Sequence, residues 1–447
     1  MERNSIKEAK KTMPRIYTVK VPDHVGKQVR VAGWVQDVRI FGGIKFIIMK
    51  DRKGTLQLTL RKGEVPQEAF KLCDELTKES CIEAIGVVKP SEKARMGVEL
   101  LPQELKVLNL ADAPTPIDTS GKIQSDLSVR LDHRFLDLRN REKIALFEIR
   151  SAVYKFAVEY FDDMGFVNIN SPKLTVMGAE SGAELFEVDY FGRKAYLAQS
   201  PQIYKQMFVV AGFERVYEIG PVFRAEKSHT TRHLTEFTGI DFEQGFIESE
   251  HDVMDTVEGL ARYIAENTKK RCTEQLEILG KEVMVPRKVP RISLDEAKTM
   301  LKEHGKLLPE HEDLDAEAEK LLGKIVREQY GEPMVLVYHY PWAKRPFYHM
   351  LCDHTDKCTK SFDLLWNGLE VATGSQREHR LEILKKQAKE KGVNLETMKP
   401  YLEIFQYGAP PHGGTGFGLD RIMEAMLQLP NIREAVLLPR DPERLTP

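Results

Sequence analysis

The sequence predicts an α+β protein of two parts, a five-stranded β-barrel followed by a larger antiparallel β-sheet flanked by helices. Three observations carry that expectation. Residues 28–110 are short β-rich runs separated by turn signals. Residues 111–126, ADAPTPIDTSGKIQSD, have the composition of a linker, and the rest mixes helical apolar spacing with strand-like runs. At 447 residues the chain is too long for one ordinary core. The expected division is 1–110, a hinge over 111–140 and a larger domain over 141–447.

In the first part the strand candidates are VRVAGWV, KFIIMKD, TLQLTL, CIEAIGVV and VELLPQELKVLNL, and Gln67–Lys78 has helical spacing. Five strands with a helix between the third and fourth is the OB-fold arrangement. Read alone, Phe46 is either an alternate-facing core residue or an exposed stacking platform. The run GGIKFIIMKDRKGTLQ resembles the anticodon-binding domain of the aspartyl, asparaginyl and lysyl tRNA synthetases. That resemblance implies that Phe46 stacks on the central anticodon base and Gln57 reads it, in keeping with how single-stranded bases are held. It also places Gln36 near the last anticodon base, where archaeal aspartyl enzymes that charge only their own tRNA carry an aromatic. Glutamine there implies relaxed discrimination, with tRNA(Asp) and tRNA(Asn) both as partners.

Bulk composition narrows the compartment more than the activity. Lysine and arginine total 66 against 68 aspartate and glutamate, so any RNA surface is a local patch. The basic start (Lys7, Lys10, Lys11, Arg15, Lys20) reads as a solvated tail. Five cysteines at irregular positions argue against a disulfide framework and for a reducing compartment. Cys352 and Cys358, close to His349, Asp353 and His354, suggest zinc, but their spacing fits no common finger. No apolar run approaches a membrane span and the N-terminus lacks a signal-peptide core, so the expected location is cytoplasmic, with no membrane partner.

The larger part centres on Pro221–Glu243, PVFRAEKSHTTRHLTEFTGIDFE. It is expected to be a hairpin whose first strand carries Arg224 and Glu226 and whose second opens with Arg232 and His233. A guanidinium among Val222, Phe223 and Ala225 needs an anionic partner, and its planar fork suits a phosphate or carboxylate. The F-R-A-E and R-H-L-x-E-F spacing resembles motif two of the class II aminoacyl-tRNA synthetases, about 216–243 here. The resemblance implies an ATP site at Arg224, Ala225, Glu226, Arg232, His233 and Leu234. Ahead of it, the helix expected over Ala145–Phe161 and the strand FVNINSPKL resemble motif one (about 144–172), which implies a homodimer.

The amino-acid pocket follows from the same resemblance. Gly178–Phe186 looks like a mobile loop, and its Glu180 matches a glutamate that approaches the amino acid in aspartyl enzymes. Ser200 can cap a helix beginning at Pro201. The aspartyl Q-S-P-Q-x-x-K pattern implies that Gln202, Ile203, Tyr204 and Lys205 line the L-aspartate site, Lys205 meeting the β-carboxylate. Asp241 and Glu243 project to one face of their strand, as a solvated face or as partners for the substrate ammonium or a metal's water. A helix is expected over Glu250–Thr268, and residues 250–334 read as an insertion. VLVYHYPW, PFYHML and SFDLLWNGLEVATGSQR read as strand-like runs of the sheet. Glu370 and Thr373 are implied Mg²⁺ ligands, and Arg377 a clamp on the substrate's side-chain carboxylate. PPHGGTGFGLDRIMEAM resembles motif three (about 410–430): its alternate glycines leave room for adenine. Gly418, Leu419, Asp420 and Arg421 complete the ATP site.

Taken together the chain is identified as a member of the class IIb aminoacyl-tRNA synthetases of archaeal aspartyl type. That implies catalytic roles for Arg224, Glu370 and Arg421, with ATP as substrate and Mg²⁺ as cofactor. The rivals are an asparaginyl-tRNA synthetase, which does not keep the lysine at position 205, and a synthetase-derived asparagine synthetase, which should lack the barrel. A non-catalytic tRNA-binding paralogue would have lost Arg224, Arg377 or Arg421.

Overall fold

The computed structural model describes residues 13–121, 123, 125–176, 184–227 and 230–447. The chain divides into two compact units, Met1–Ile144 and Ala145–Thr446.

In the first unit strands β1 (Gln28–Phe41), β2 (Ile44–Lys50), β3 (Thr55–Arg61), β4 (Cys81–Pro90) and β5 (Val98–Asn109) close a barrel in the order β1-β2-β3-β5-β4. Alternate residues fill it: Val29, Val31 and Val35 from β1, Ile47 and Met49 from β2, Leu56, Leu58 and Leu60 from β3. Helix α1 (Gln67–Leu72) is shorter than the expected Gln67–Lys78. Beyond Leu72 the chain tightens into turns, which lets Cys73 and Leu76 both reach the barrel core. The short helices α2 (Leu127–Asp132) and α3 (Arg134–Asp137) follow the linker. Buried Glu79 is held by Lys50 Nζ at 2.5 Å and Arg139 Nη1 at 2.9 Å.

The long helix α4 (Arg141–Asp163) spans the division, and the second unit continues through β6 (Val167–Asn168), β7 (Leu174–Thr175), β8 (Glu187–Tyr190), β9 (Arg193–Leu197), α5 (Gln202–Phe208), β10 (Arg215–Phe223) and β11 (Glu236–Gly245). Next come α6 (Glu250–Arg271), α7 (Thr273–Leu279), β12 (Arg291–Ser293), α8 (Leu294–Glu303), α9 (Ala316–Tyr330) and β13 (Met334–Tyr338). The chain ends with β14 (Leu351–Cys352), β15 (Thr355–Thr359), β16 (Ser361–Trp366), β17 (Leu369–Gln376), α10 (Leu381–Glu390), α11 (Lys399–Glu403), β18 (His412–Gly418) and α12 (Leu419–Leu427). The main sheet has eight strands in the order β12-β13-β16-β17-β18-β11-β10-β6. Its neighbours are antiparallel except β12 with β13 and β6 with β10.

Several expectations change here. Ladder pairing of β10 with β11 stops at Phe223 opposite Glu236, so Arg224, Glu226, Arg232 and His233 lie in the connection rather than on the strands. Of FVNINSPKL only two short pieces are strand, and PFYHML contributes one strand residue, because Phe347 and Tyr348 turn into a side core with Tyr401 and Leu402. The segment read as an insertion builds the back of the sheet. Ser249 caps α6, whose Val253, Val257, Leu260 and Ile264 enter the main core beside Phe156 and Phe161 of α4 and Phe242 of β11. Cys352 and Cys358 form a single disulfide, where the sequence argued against a disulfide framework and suggested zinc at this pair. The β14–β15 hairpin brings their Cα atoms to 5.6 Å, within bridging range whatever the compartment. No helix among the described residues is long and apolar enough to cross a membrane.

Phe161 is fully buried, stacked on Tyr217 at 4.7 Å and tilted against Phe166 and Phe242. Phe161→Ala should cost about 3–5 kcal/mol. Chemical denaturation followed by a probe in the second unit measures it.

Candidate active site

A cavity of about 280 Å³ in the second unit opens between the β10–β11 connection and the adjoining ends of β17, β18 and α12. Its floor follows from strand alternation. Ile240 and Phe242 of β11 enter the core, so Gly239, Asp241 and Glu243 face the other way. Across the ladder Gly416 stands opposite Asp241 and Gly414 opposite Glu243. A β-carbon on Gly414 would lie 2.2 Å from Glu243 Oε2 and from the Phe242 carbonyl, so glycine alone admits the carboxylate there.

Asp241 and Glu243 are buried, not a solvated face. Lys205, 1% exposed on α5, donates to Asp241 Oδ1 and to the Thr415 carbonyl, both at 2.9 Å, and lies 3.6 Å from Glu243 Oε2. The Ser200 hydroxyl accepts the Gln202 N–H at 3.1 Å, but α5 begins at Gln202 with Pro201, not Ser200, in the cap position and no side-chain cap. Arg377, just past β17, grips Glu243 with Nε and Nη2 at 2.9 and 3.2 Å and gives Nη1 to Ser375 Oγ at 2.7 Å. Burial pushes the Glu243 carboxyl up, but Arg377 and Lys205 outweigh it and hold the group below its ordinary value. His349 Nε2 lies 3.3 Å from Arg377 Nη1, and burial together with that cation keeps the imidazole neutral.

At the other end, Arg224 sits over the Phe237 ring at 5.2 Å with four-tenths of its side chain exposed. Its Nη1 lies 3.9 Å from Glu226 Oε1. Arg421 Nη1 donates to the Glu370 carbonyl at 3.1 Å and lies 3.3 Å from Glu370 Oε1, which also accepts Thr373 Oγ1 at 3.1 Å. Burial would raise the Glu370 carboxyl, but Arg421 and Arg345 beside it hold it below its usual value. Neighbouring acids go the other way. Burial, with Glu370 adding to it, pushes Glu319 up to about 7, although Arg232 Nη1 donates to it at 2.9 Å. Burial pushes Asp363 up to about 6 against its 2.5 Å bond from Arg345 Nη2, and Asp363 Oδ1 has no hydrogen-bond partner among the described residues. Burial and Arg421 lower His233, whose Nδ1 is bonded to Thr230 Oγ1.

Of the residues expected at the site, Gln202, Arg224, Glu226, Arg232, His233, Leu234, Asp241, Glu370, Thr373, Arg377, Gly418, Asp420 and Arg421 line this cavity. Others do not. Ile203 and Leu419 point into apolar cores, Tyr204 packs in the side core with its hydroxyl 3.4 Å from Thr175 Oγ1, and Ala225 contributes a backbone bond to Glu184. Lys205 lies behind Asp241, committed to internal partners. Asp420 is structural as well as lining: it accepts Arg150 at 2.8 Å and the Thr238 N–H at 3.1 Å, tying α12 to α4 and β11. Glu180 lies outside the described residues. Sequence reasoning missed Lys344, Arg345, Tyr348 and His349 in the wall, and Glu319 and Asp363 behind it. Asp363 had a signal, a lone carboxylate inside the apolar SFDLLW; Glu319 on a charged helix had none.

In the barrel unit Phe46 is half-buried between inward Lys45 and Ile47, its edge toward Phe41 at 6.2 Å, so it stands on the outer face rather than in the core. Gln36 falls where the β1–β2 register slips between Val35 and Asp37, and its buried Oε1 has no partner among the described residues. Gln57 donates to Glu99 Oε2 at 3.1 Å. Gln36 and Gln57 share a cavity of about 290 Å³ with Lys93 and Arg95, which Phe46 does not line.

Two family models match this chain. Residues 29–108 match the OB-fold nucleic acid binding domain, and residues 126–442 match the class II tRNA synthetases (D, K and N). The chain belongs to the class II tRNA synthetases. An aspartate–tRNA(Asp) ligase of Pyrococcus abyssi is 47% identical over 94% of this chain and 97% of its own length. An aspartate–tRNA(Asp/Asn) ligase of Methanopyrus kandleri is 47% identical over 96% and 99%. The asparaginyl-tRNA synthetase of Pyrococcus horikoshii, solved with asparaginyl-adenylate, superposes with a TM-score of 0.91 at 30% identity, covering 98% of this chain and all of that one. Class II synthetases are ATP-dependent ligases that act on tRNA, and this one carries the nucleic-acid-binding barrel as well.

Glu319 supplies a pH test of this synthetase's site. Its folded value of about 7 lies above the ordinary 4.5, so the folded chain holds the proton longer than the unfolded one. That stability is fully present below about 4.5 and is lost as pH rises to about 7, roughly 3 kcal/mol in all. Glu319→Gln should therefore gain stability relative to the parent between pH 5 and pH 8, measured by urea denaturation at both.

Proposed function

We propose that this chain is an aspartate–tRNA ligase of the cytoplasm, a homodimer that activates L-aspartate with ATP and charges tRNA(Asp) and tRNA(Asn). The observation that carries the reading is the pair of buried cations, Arg377 in the cavity wall and Lys205 directly behind the lining residue Asp241. A desolvated cation selects a substrate carboxylate over the neutral amide of asparagine. The ligases at 47% identity support this, and the asparaginyl neighbour at 30% is less similar in sequence.

In this reading the β-carboxylate of aspartate displaces Asp241 from Lys205 and lies against Arg377, and Asp241 turns to the substrate ammonium. The α-carboxylate then attacks the α-phosphorus of ATP in line, and pyrophosphate leaves. Arg224, above Phe237 at the cavity mouth, binds the α-phosphate and stabilises the charge that develops there. Arg232, His233 and Arg421 take the outer phosphates, Arg421 also stacking on the adenine that lies along Gly416 and Gly418. Glu370 with the Thr373 hydroxyl beside it, and Asp363 with an oxygen lacking a partner among the described residues, fit a divalent ion that needs few protein carboxylates. A divalent ion held by Glu370 and Thr373 would offset the charge of the phosphates. The second step needs no protein nucleophile: a hydroxyl of the terminal adenosine of tRNA attacks the mixed anhydride and AMP leaves. Phe46, Gln57 and Gln36 take the anticodon on the barrel, and the glutamine at 36 tolerates either last base.

Two measurements test this. Pyrophosphate exchange should depend on L-aspartate and not on L-asparagine, and Arg224→Ala should lower it about 100-fold or more; exchange supported equally by asparagine would sink the assignment. Transcripts that differ only in the last anticodon base, C or U, should be aspartylated with comparable efficiency. Charging of the C transcript alone would leave the ligase reading standing and remove tRNA(Asn).

A further inference from the structure

Away from the cavity, the hairpin of β14 and β15 carries the sequence Cys352-Asp-His354-Thr-Asp-Lys-Cys358, and His339 comes to it from the end of β13. One ligand atom each from His339, Cys352 and Cys358 lies within 4.8 Å of the others. His354 Nε2 lies 4.0 Å from Cys358 Sγ, and the two imidazole rings are 5.9 Å apart. We propose that in the reduced protein His339, Cys352, His354 and Cys358 form a tetrahedral Zn²⁺ site, and that the disulfide is the oxidised, metal-free form of the same cysteine pair.

The chemistry of the donors favours zinc. Two thiolates and two imidazoles are the S₂N₂ set that zinc takes at about 2.3 Å and 2.0–2.1 Å. Two thiolates also cancel the ion's charge, so a neutral centre can sit on a half-buried hairpin at little desolvation cost. With the Cα atoms at 5.6 Å, rotation of the side chains seats both sulfurs on one ion without moving the strands. The histidine is prepared in two ways. His339 Nε2 is 3.1 Å from Glu250 Oε1, which leaves Nδ1 for the metal and supplies the carboxylate partner that orients zinc-bound imidazoles. Its backbone is held at φ 65°, a conformation costly for a residue with a β-carbon, by its N–H bond to Ser361.

Sequence spacing could not reveal this set, because His339 joins from the segment just after β13. The site would have a structural consequence. It clips both ends of the segment 340–351, which places Lys344, Arg345, Tyr348 and His349 in the cavity wall, and β15 already bonds to that segment through Thr359 N to Tyr340 O at 2.9 Å. A dithiol reductant delivers two electrons and two protons to the disulfide and leaves as its own disulfide, and the metal then displaces both thiol protons.

The test uses the full chain. Treatment with a dithiol under native conditions should raise the accessible-plus-buried thiol count, read after rapid denaturation in acid, from the three free cysteines to all five. Anaerobic titration with Co²⁺ should then give one equivalent of tetrahedral thiolate–cobalt absorption per chain, bleached by Zn²⁺, and the zinc-loaded protein should melt higher than the reduced apo form. Cys358→Ser should abolish the charge-transfer band. His354→Ala, at an exposed position that cannot compromise folding, should weaken Co²⁺ binding at least about tenfold, and Glu250→Gln by about 10–100-fold. A reduced protein that shows no tetrahedral band, a band that survives Cys358→Ser, or a disulfide that resists reduction in the folded chain would overturn the proposal.

Discussion

Two cations and two carboxylates, buried against one another at the middle of the sheet, govern how the catalytic unit is built. Lys205 reaches them from α5, Arg377 from the end of β17, and Asp241 and Glu243 from β11, so elements far apart in sequence must be in register before any of the charges is paired. Such a group adds little net stability over a well-packed apolar core, since desolvation offsets much of the attraction. Breaking it is another matter, because the partner left behind stays buried and charged. The arrangement therefore specifies one packing more than it strengthens it. The neighbouring strand concedes its side chains to make room, Gly414 against Glu243 and Gly416 against Asp241.

The opposite end of the cavity is balanced differently. Glu370 keeps its charge because Arg421 and Arg345 stand beside it, whereas burial, with the Glu370 charge adding to it, pushes Glu319 and Asp363 toward neutrality. Carboxylates that would ionise more fully if positive charge arrived, and arginines that face the open cavity, are what a nucleotide with its counter-ion requires. A triphosphate alone would meet an acidic wall behind its arginines. A dication alone would meet arginines in front of its carboxylates. The two together satisfy both, which is the electrostatic case for reading this end as the ATP site.

Much of this was legible in the chain, for identifiable reasons. The barrel followed from alternation, since Val29, Val31 and Val35 or Leu56, Leu58 and Leu60 can only alternate when one face is inside. The glycines of β18 and the arginine that follows them were legible only through the resemblance to motif three, since a glycine-rich strand by itself is a weak signal. What escaped depended on long-range packing. The ends of β10 and β11 are set by where the ladder stops and not by local composition, so Arg224 and Arg232 moved from strand to loop. Helix α6 looked like inserted sequence until its apolar face met the sheet. Lys205 was expected to wait in the pocket, but a lysine that deep needs partners at all times, and it has them.

That commitment of Lys205 bears on selectivity. In the proposed reading aspartate exchanges its own carboxylate for one the protein already supplies, so the Coulombic gain of binding is largely cancelled by the loss of the Asp241 pair. Affinity then rests on the remaining contacts, and the ion pair contributes discrimination. Asparagine, with no charge to offer, would have to open the Lys205–Asp241 pair and leave a buried ammonium facing an amide. Sites whose buried polar groups are left unmatched by the wrong substrate reject it by about 10⁴–10⁵, far beyond what a difference in shape achieves. Aspartate and asparagine are nearly identical in shape. Holding the cation in an internal pair, ready for exchange, is a physical way to separate them.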